Sequence, residues 1–490
     1  MDKIYIALVS ILLLGLATHG YFAHWGVLYE PDDYIYLSVA QQTLANHLII
    51  PKLDILSHFP THLPYGEYPG LIYLAVLPAT LGISLFDIFM YLPLLFGLLA
   101  ILGTFLLGRE AFSDRVGLYA ALFMALLPSA IYRGMAGEWR GGEFVSVFII
   151  FMAYLMLKAW HSDHKLTAFI IPIPFMLLSA WFWSGGLYVS AVVIFASLIL
   201  LITTIAKRYN KGMLGILLIL IITIAGWIYL FVFSSYINLI SYQRSMGISE
   251  LAPLTPINAL FQYSLVLPLA IIGIILILKS DKPIVDRSIL IAWIIITLPL
   301  AIIAIRFTIL TAAPLSILAA VSLTKFSKSD WLNLLIILSL LVPMTFLATT
   351  ISPAGISPQL ISSMQWIKSN TPSNATFLTS WADGSLIEGI AQRQSWSDSI
   401  QAQGYGFSFG RFLFARADNL TYLYNVSPDY LLIQTAFKNQ SQAIAEEAGV
   451  SPIYNGSNLQ ALINTSIVQL TNNRIIAVYN ANGIIIYKVG

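Results

Sequence analysis

Along most of the chain the apolar positions do not alternate with polar ones. They run together in blocks long enough to cross a hydrocarbon core, which takes about 17–25 residues. Such blocks lie near 4–22, 86–107, 116–131, 143–158, 166–181, 187–206, 213–234, 258–279, 288–304, 307–323 and 331–349. They predict eleven transmembrane helices, or thirteen if the apolar stretch 67–84 also crosses and 166–206 divides differently. After residue 350 the pattern changes. Apolar runs shorten, Ser, Thr, Asn and Gln rise, and 474–490 reads as two strands joined by a turn at Asn480–Gly483. The expectation is a polytopic α-helical membrane domain over 1–350, with long outer loops at 23–85 and 235–257. A small mixed α/β domain over 351–490 follows it outside the membrane.

Composition agrees and narrows the picture. Hydrophobic residues make up 58% of the 490 and charged residues only 10%, against about a quarter in an ordinary soluble domain. A net charge of +2 gives no basis for a nucleic-acid partner, and the absence of cysteine excludes disulfides, thiolate nucleophiles and Cys-ligated metals. The few charges orient the bundle. With the N-terminus in the cytoplasm, thirteen of the 25 basic residues fall inside, while the outer side of the membrane region receives only Lys52, Arg133, Arg140, Arg244 and Arg306. This places the protein in a cell membrane with its tail outside. The first span lacks a small-residue cleavage site and reads as a retained anchor. Asn-x-Ser/Thr patterns at Asn374, Asn419, Asn425, Asn439, Asn455 and Asn464 all fall in the tail, in keeping with that placement.

Ionisable groups near a membrane are costly unless solvated, paired or metal-bound, so the outer acids are the candidates for chemistry. In the membrane part they are Glu30, Asp32, Asp33, Asp54, Glu67, Asp87, Glu138, Glu143 and Glu250. Any hard divalent cation would draw its oxygen ligands from this set.

Five segments carry a resemblance, in order along the chain. LYEPDDYIYLSVAQQTL at 28–44 opens on an Asp followed by aromatics, with Asp32 at that Asp and Asp33 as the alternative. The stretch at 108–144 holds Arg133, Ala136 and Gly137 in an R-x-x-A-G arrangement, but Arg140 stands where a second metal-binding Asp is expected. MGISELAPLTP at 246–256 places Glu250 in an S-E motif, IRFTIL at 305–310 supplies Arg306, and the stretch at 365–399 holds Trp381 and Asp383, with Ala382, Gly384 and Ser385 at neighbouring motif positions. Together they resemble the catalytic subunits of oligosaccharyltransferases, especially the single-chain archaeal and bacterial enzymes. Their D-x-Y, D-x-D/E, S-V-x-E, R-F and W-W-D-Y-G motifs are the ones matched or altered here.

The resemblance implies a GT-C-type glycosyltransferase. It would move an oligosaccharide from a dolichyl phosphate or pyrophosphate carrier to the side chain of Asn in Asn-x-Ser/Thr. Asp32 and Glu250 would accept the two N–H bonds of the acceptor amide. Mg²⁺ or Mn²⁺, held by Asp32 with Glu138 or Glu143, would stabilise the departing phosphate. Arg306 would contact the lipid-linked phosphate, and Trp381 and Asp383 the acceptor hydroxyl. The altered motifs leave two other readings open: a different polyprenyl-phosphate-sugar transferase of the same architecture, and an inactive paralogue. A transporter would carry ionisable groups near the bilayer midplane, whereas here they crowd the span ends.

Overall fold

The structure, a computed structural model, describes residues 3–57, 59, 62, 68–162, 164–183, 191–192, 195–196, 249–279, 284–326, 330–350, 356–396, 398, 428–434, 475–481 and 483–489. The expected span 213–234, most of 187–206, Glu67, Arg244 and all the Asn-x-Ser/Thr patterns except Asn374 lie outside these residues. Two compact units are present: Met1–Trp25 with Met90–Ile351, and Gly26–Phe89 with Ser352–Gly490. The break near 351 falls where the composition changes, and the first outer loop clusters with the tail.

The first unit is helical. Among the described residues, Lys3–Trp25, Leu85–Ala111, Gly141–His161 and Ile305–Lys325 are each long and apolar enough to cross a membrane. Two further apolar pairs are bent, Asp114–Leu126 with Pro128–Gly134 by 64° and Pro256–Tyr263 with Val266–Leu278 by 85°. The first bend sits at Pro128, whose missing N–H cannot continue the helix. The second sits at Ser264, held at φ 48°. The most apolar stretch of Ile305–Lys325 is 89% buried against 28% for Lys3–Trp25, so the former is the core of the bundle and the latter lies at its rim. Small residues let the backbones approach there. A Cβ on Gly273 would fall 2.1 Å from the Leu318 carbonyl oxygen, and the Ser322 hydroxyl donates to the Leu269 carbonyl at 2.6 Å. Such close contacts substitute for a hydrophobic driving force that lipid cannot supply.

Residues assigned to one side of the membrane meet each other. Arg133, Arg140, Glu138, Glu250 and Arg306, all assigned outside, form one ion-pair network. On the side assigned inside, Arg109 pairs with Asp114 at 2.7 Å and His161 contacts Glu110 at 2.7 Å.

The second unit is built on a mixed five-stranded sheet. Its strands are β1 (Thr376–Leu378), β2 (Gln394–Ser395), β3 (Tyr430–Gln434), β4 (Ile475–Ala481) and β5 (Ile484–Val489), in the order β2-β1-β3-β5-β4. The first three run parallel, and β5 pairs antiparallel with both β3 and β4. The β4–β5 hairpin is the one read from 474–490, with Gly483 in its turn at φ 81°. Asn374 stands exposed in the turn before β1.

On the helical segment between β1 and β2 packs the helix Pro31–Ala45. It opens with Pro31 at its first position, and the Asp33 carboxylate accepts from the Glu30 N–H at 2.9 Å. Both features suit a helix N-terminus. It lies against the short helix Trp381–Leu386 and the π-helical turn Ile387–Ala391 that follows. The approach is close enough that a Cβ on Gly389 would meet the Tyr34 carbonyl oxygen at 2.4 Å. Beyond the helix, the loop lies along β2: Ser395 N–H donates to the Leu56 carbonyl at 2.7 Å, and Phe59 N–H to the Ser395 carbonyl at 2.9 Å.

Candidate active site

In the membrane unit the break at Pro128 decides where the charges assigned to the outer side stand. The Pro128–Gly134 helix carries Arg133 in its last turn. The chain then leaves the helix over residues whose backbone is fixed by neighbours. The His19 ring lies 2.9 Å from the Gly134 carbonyl, Ala136 N–H donates to the His19 carbonyl at 3.0 Å, and Gly137 N–H donates to the Met90 carbonyl at 2.9 Å. Gly137 itself sits at φ 84°, a conformation that suits glycine. This turn presents Glu138 and Arg140 before the helix Gly141–His161 begins, with Glu143 in its first turn.

Glu250 lies on a 3₁₀ turn, Ser249–Leu251. Two backbone bonds tie that turn to the segment bearing Arg306: Leu254 N–H to the Ile302 carbonyl at 2.9 Å, and Ile305 N–H to the Ala252 carbonyl at 3.0 Å. Arg133 is the hub. One guanidinium nitrogen donates to Glu138 at 2.6 Å and the other to Glu250 at 2.6 Å. Arg306 approaches the second Glu250 oxygen at 3.4 Å, and Arg140 stands 3.7 Å from Glu138. Arg133 and Glu138 are buried, whereas Glu250, Arg140 and Arg306 are half-buried and form the accessible side. Burial would raise the Glu250 carboxyl, but Arg306, Arg133 and Arg140 together hold it well below the usual carboxylate range. It is therefore a permanent anion at neutral pH. Glu143 is buried, its Oε1 near the Gly134 backbone and its Oε2 without a hydrogen-bond partner among the described residues.

The second unit holds the remaining sequence candidates. Asp32 is half-buried in the first turn of the Pro31–Ala45 helix, while its neighbour Asp33 is fully buried and used in the helix start. Trp381 is the half-buried first residue of the helix Trp381–Leu386. Asp383 is buried. Its backbone N–H is capped by Ser380 and its Oδ1 accepts from the Gln434 amide. Burial pushes this carboxyl up to about 6, against the hydrogen bonds from Gln434, Ser380 and Thr379.

Sequence reasoning did not anticipate a second acidic group in this unit. Asp54, Glu388 and Asp398 are all buried. Asp54 accepts from the Gln42 amide at 2.8 Å and from Leu56 N–H at 3.1 Å, and Asp398 accepts from the Ser57 hydroxyl. Among the described residues neither oxygen of Glu388 has a hydrogen-bond partner. Burial first, then the neighbouring Asp398 and Asp54, raise the Glu388 carboxyl well above its ordinary value. The one signal in the sequence is a lone acid in the apolar run SLIEGIA.

Asp32, Glu138 and Glu143 were the expected metal ligands. Among the described residues no three His, Asp or Glu side chains stand close enough together to hold an ion. Glu138, with Arg133 at 2.6 Å and Arg140 at 3.7 Å, already has its negative charge matched by guanidiniums. A divalent cation does not fit the second-loop acids as they stand.

Fold and site together define a polytopic helical membrane protein with a charged cluster and a mixed α/β unit. Residues 4–352 match the family described as oligosaccharyl transferase STT3, N-terminal, and the chain belongs to that family. It is 32% identical over 179 residues to dolichyl-phosphooligosaccharide-protein glycotransferase 3 of Archaeoglobus fulgidus, a match covering 33% of this chain and 20% of that protein. The match thus spans about a fifth of the relative's length. Among solved structures, the fold is similar to archaeal oligosaccharyltransferase AglB from Archaeoglobus fulgidus, in complex with an inhibitory peptide and a dolichol-phosphate. That likeness has a TM-score of 0.73 at 16% identity, over 99% of this chain and 74% of that one. It is also similar to ArnT from Cupriavidus metallidurans bound to undecaprenyl phosphate, with a TM-score of 0.60 at 13% identity, over 99% and 97% of the two chains. Both belong to the GT-C membrane fold.

Proposed function

We propose that the protein transfers a glycan from a dolichyl phosphate or pyrophosphate carrier to the Asn side chain of Asn-x-Ser/Thr acceptors, on the outer face of a cell membrane. The observation that carries this reading is Glu250 held ionised between Arg133 and Arg306 at the accessible edge of the cluster. An amide nitrogen is a poor nucleophile because its lone pair is delocalised into the carbonyl. A permanent carboxylate accepting an N–H favours the twisted amide in which that lone pair is localised, the role that the resemblance implies for Glu250 and for Asp32. Arg306 gives the donor phosphate a charge-assisted contact, and the apolar spans on either side account for a lipid-borne donor. The Archaeoglobus relatives, one named for dolichyl-phosphooligosaccharide–protein transfer and one solved with a peptide and a dolichol-phosphate, support both substrates.

The test is the purified chain with a lipid-linked glycan and a labelled Asn-x-Thr peptide. Transfer is expected, and Asp32→Ala and Glu250→Ala are each expected to abolish it. Absence of transfer, or transfer undiminished in both variants, refutes the assignment.

One observation favours a second reading, a polyprenyl-phosphate-sugar transferase with another acceptor. Asp383, the expected contact for the acceptor hydroxyl, is buried and bonded to Gln434, and Ala382 stands at the second Trp position. Mass spectrometry of native glycoproteins after gene deletion separates the two. Loss of whole Asn-linked glycans supports the first reading, and loss of a single sugar supports the second.

A further inference from the structure

Near the end of the first helix, Lys3–Gly20, stands an imidazole, His19, only 1% exposed. Its Nδ1 lies 2.9 Å from the Gly134 carbonyl oxygen. A carbonyl only accepts, so Nδ1 carries the proton and donates, which leaves Nε2 as the bare nitrogen of the neutral ring. Nε2 is buried and has no hydrogen-bond partner among the described residues. An apolar side chain would fill the place without that loss, but it could not hold the carbonyl. The main chain of the same residue takes the other end of the turn, its carbonyl accepting from Ala136 N–H at 3.0 Å. Two glycines make room for the ring. A Cβ on Gly97 would stand 2.8 Å from Nδ1 and 2.7 Å from the Gly134 oxygen, and a Cβ on Gly134 would stand 3.0 Å from Nδ1. Gly134 adjoins Arg133, whose terminal nitrogens donate to Glu138 and Glu250 at 2.6 Å each. His19 therefore grips the chain one residue from the guanidinium that meets Glu250.

We infer that His19 is a positioning residue for the proposed transfer: its Nδ1–H fixes the Gly134 carbonyl and, through the adjoining Arg133, sets where the Glu250 carboxylate stands. The inference rests on the transfer reading and adds a residue that lies in none of the five segments carrying the resemblance.

The experiment uses the full-length chain in nanodiscs with a lipid-linked glycan and a labelled Asn-x-Thr peptide, and reads kcat, peptide KM and thermal midpoint together. His19→Asn keeps an N–H donor where Nδ1 stands. His19→Gln moves the donor to the Nε2 end, and His19→Phe keeps a ring without a donor. His19→Gln and His19→Phe are expected to lower kcat by about tenfold or more, the scale of a small misplacement of a catalytic group. Peptide KM is expected to stay within about twofold in all three, and kcat of His19→Asn within about threefold of the wild type. In wild-type chain labelled at histidine nitrogens and glycine carbonyl carbons, solid-state NMR should show a protonated Nδ1 in contact with a glycine carbonyl. Three results overturn the inference and leave the proposed transfer standing: kcat of His19→Gln and His19→Phe within about twofold of the wild type, a kcat loss that only follows a lowered thermal midpoint, or a fall in His19→Asn as large as in His19→Phe. Absence of the protonated Nδ1 contact overturns it too, even if no variant folds. No transfer by the wild type overturns both readings.

Discussion

Glu388→Gln is expected to raise the stability of the α/β unit at neutral pH and to remove part of its pH dependence. Glu388 is fully buried, on a π-helical turn, and among the described residues neither carboxyl oxygen has a hydrogen-bond partner. Ionising it there means placing a charge in an apolar site already facing Asp398 and Asp54, so the folded chain keeps the proton well above the ordinary value of 4.5. The unfolded chain releases the proton above that value. Between the two, the folded state binds one more proton, and stability falls as pH rises, by about 1.4 kcal/mol per unit. The stability is fully present below the unfolded value and is lost as pH climbs towards the folded one. The loss continues at that slope for as far as the folded value lies above the unfolded one. Asp54 and Asp383 are also raised and act with the same sign, so the wild-type slope is larger than this one term. The difference between wild type and Glu388→Gln isolates it. Hydrogen exchange of peptides spanning β1 and β2 in the full-length chain, corrected for intrinsic rates and followed from pH 5 to 8, reports the local opening free energy. The variant should match the wild type at the acid end and become progressively better protected towards pH 8. Parallel profiles across the range would refute the reasoning, because they would mean that Glu388 ionises as readily folded as unfolded.

Much of the helical architecture was legible because a membrane permits few alternatives: an apolar block of the right length has to be a helix. The spans read at 4–22, 86–107 and 143–158 return as Lys3–Gly20, Leu85–Ala111 and Gly141–His161. Where a block held a break, length alone missed it. The block 116–131 contains Pro128 and bends by 64°, and the block 258–279 contains Ser264 and bends by 85°. Hydropathy averages over a window and is blind to one residue without an N–H or with a positive φ. The Pro128 break matters most, since it sets the short helix that carries Arg133.

The site was legible as a set of residues but not as a set of pairings. Scarcity of charge made Arg133, Glu138, Arg140, Glu250 and Arg306 conspicuous. Which carboxylate meets which guanidinium depends on backbone bonds such as Ile305 N–H to Ala252, between residues 53 positions apart, and no local pattern encodes these. The same holds for Asp54, Glu388 and Asp398. They come from three separate segments, and each alone looks like an ordinary acid. Only the apolar neighbours Ile387 and Ile390 hinted that Glu388 is buried.

Three further substitutions test the packing that supports the site. Gly273→Ala places a Cβ 2.1 Å from the Leu318 carbonyl oxygen. It should force the helices Val266–Leu278 and Thr308–Phe326 apart at a cost of about 1–3 kcal/mol or more, read as a lowered midpoint of thermal unfolding in detergent. Gly389→Ala meets the Tyr34 carbonyl at 2.4 Å; faster hydrogen exchange along Pro31–Ala45, with the β4–β5 hairpin unchanged, is the expected signature. Arg133→Met retains the aliphatic bulk and removes both 2.6 Å ion pairs. Glu138, fully buried, then loses the guanidinium that stands 2.6 Å from it, and leaving a buried charge without its main partner costs about 3–5 kcal/mol. Arg133→Met combined with Glu138→Gln should recover much of that loss, since the second change removes the stranded charge. If the double variant is no more stable than the single one, the ion pair is not what Arg133 contributes, and its role reduces to packing against Tyr132, whose ring centre lies 4.9 Å from the guanidinium carbon.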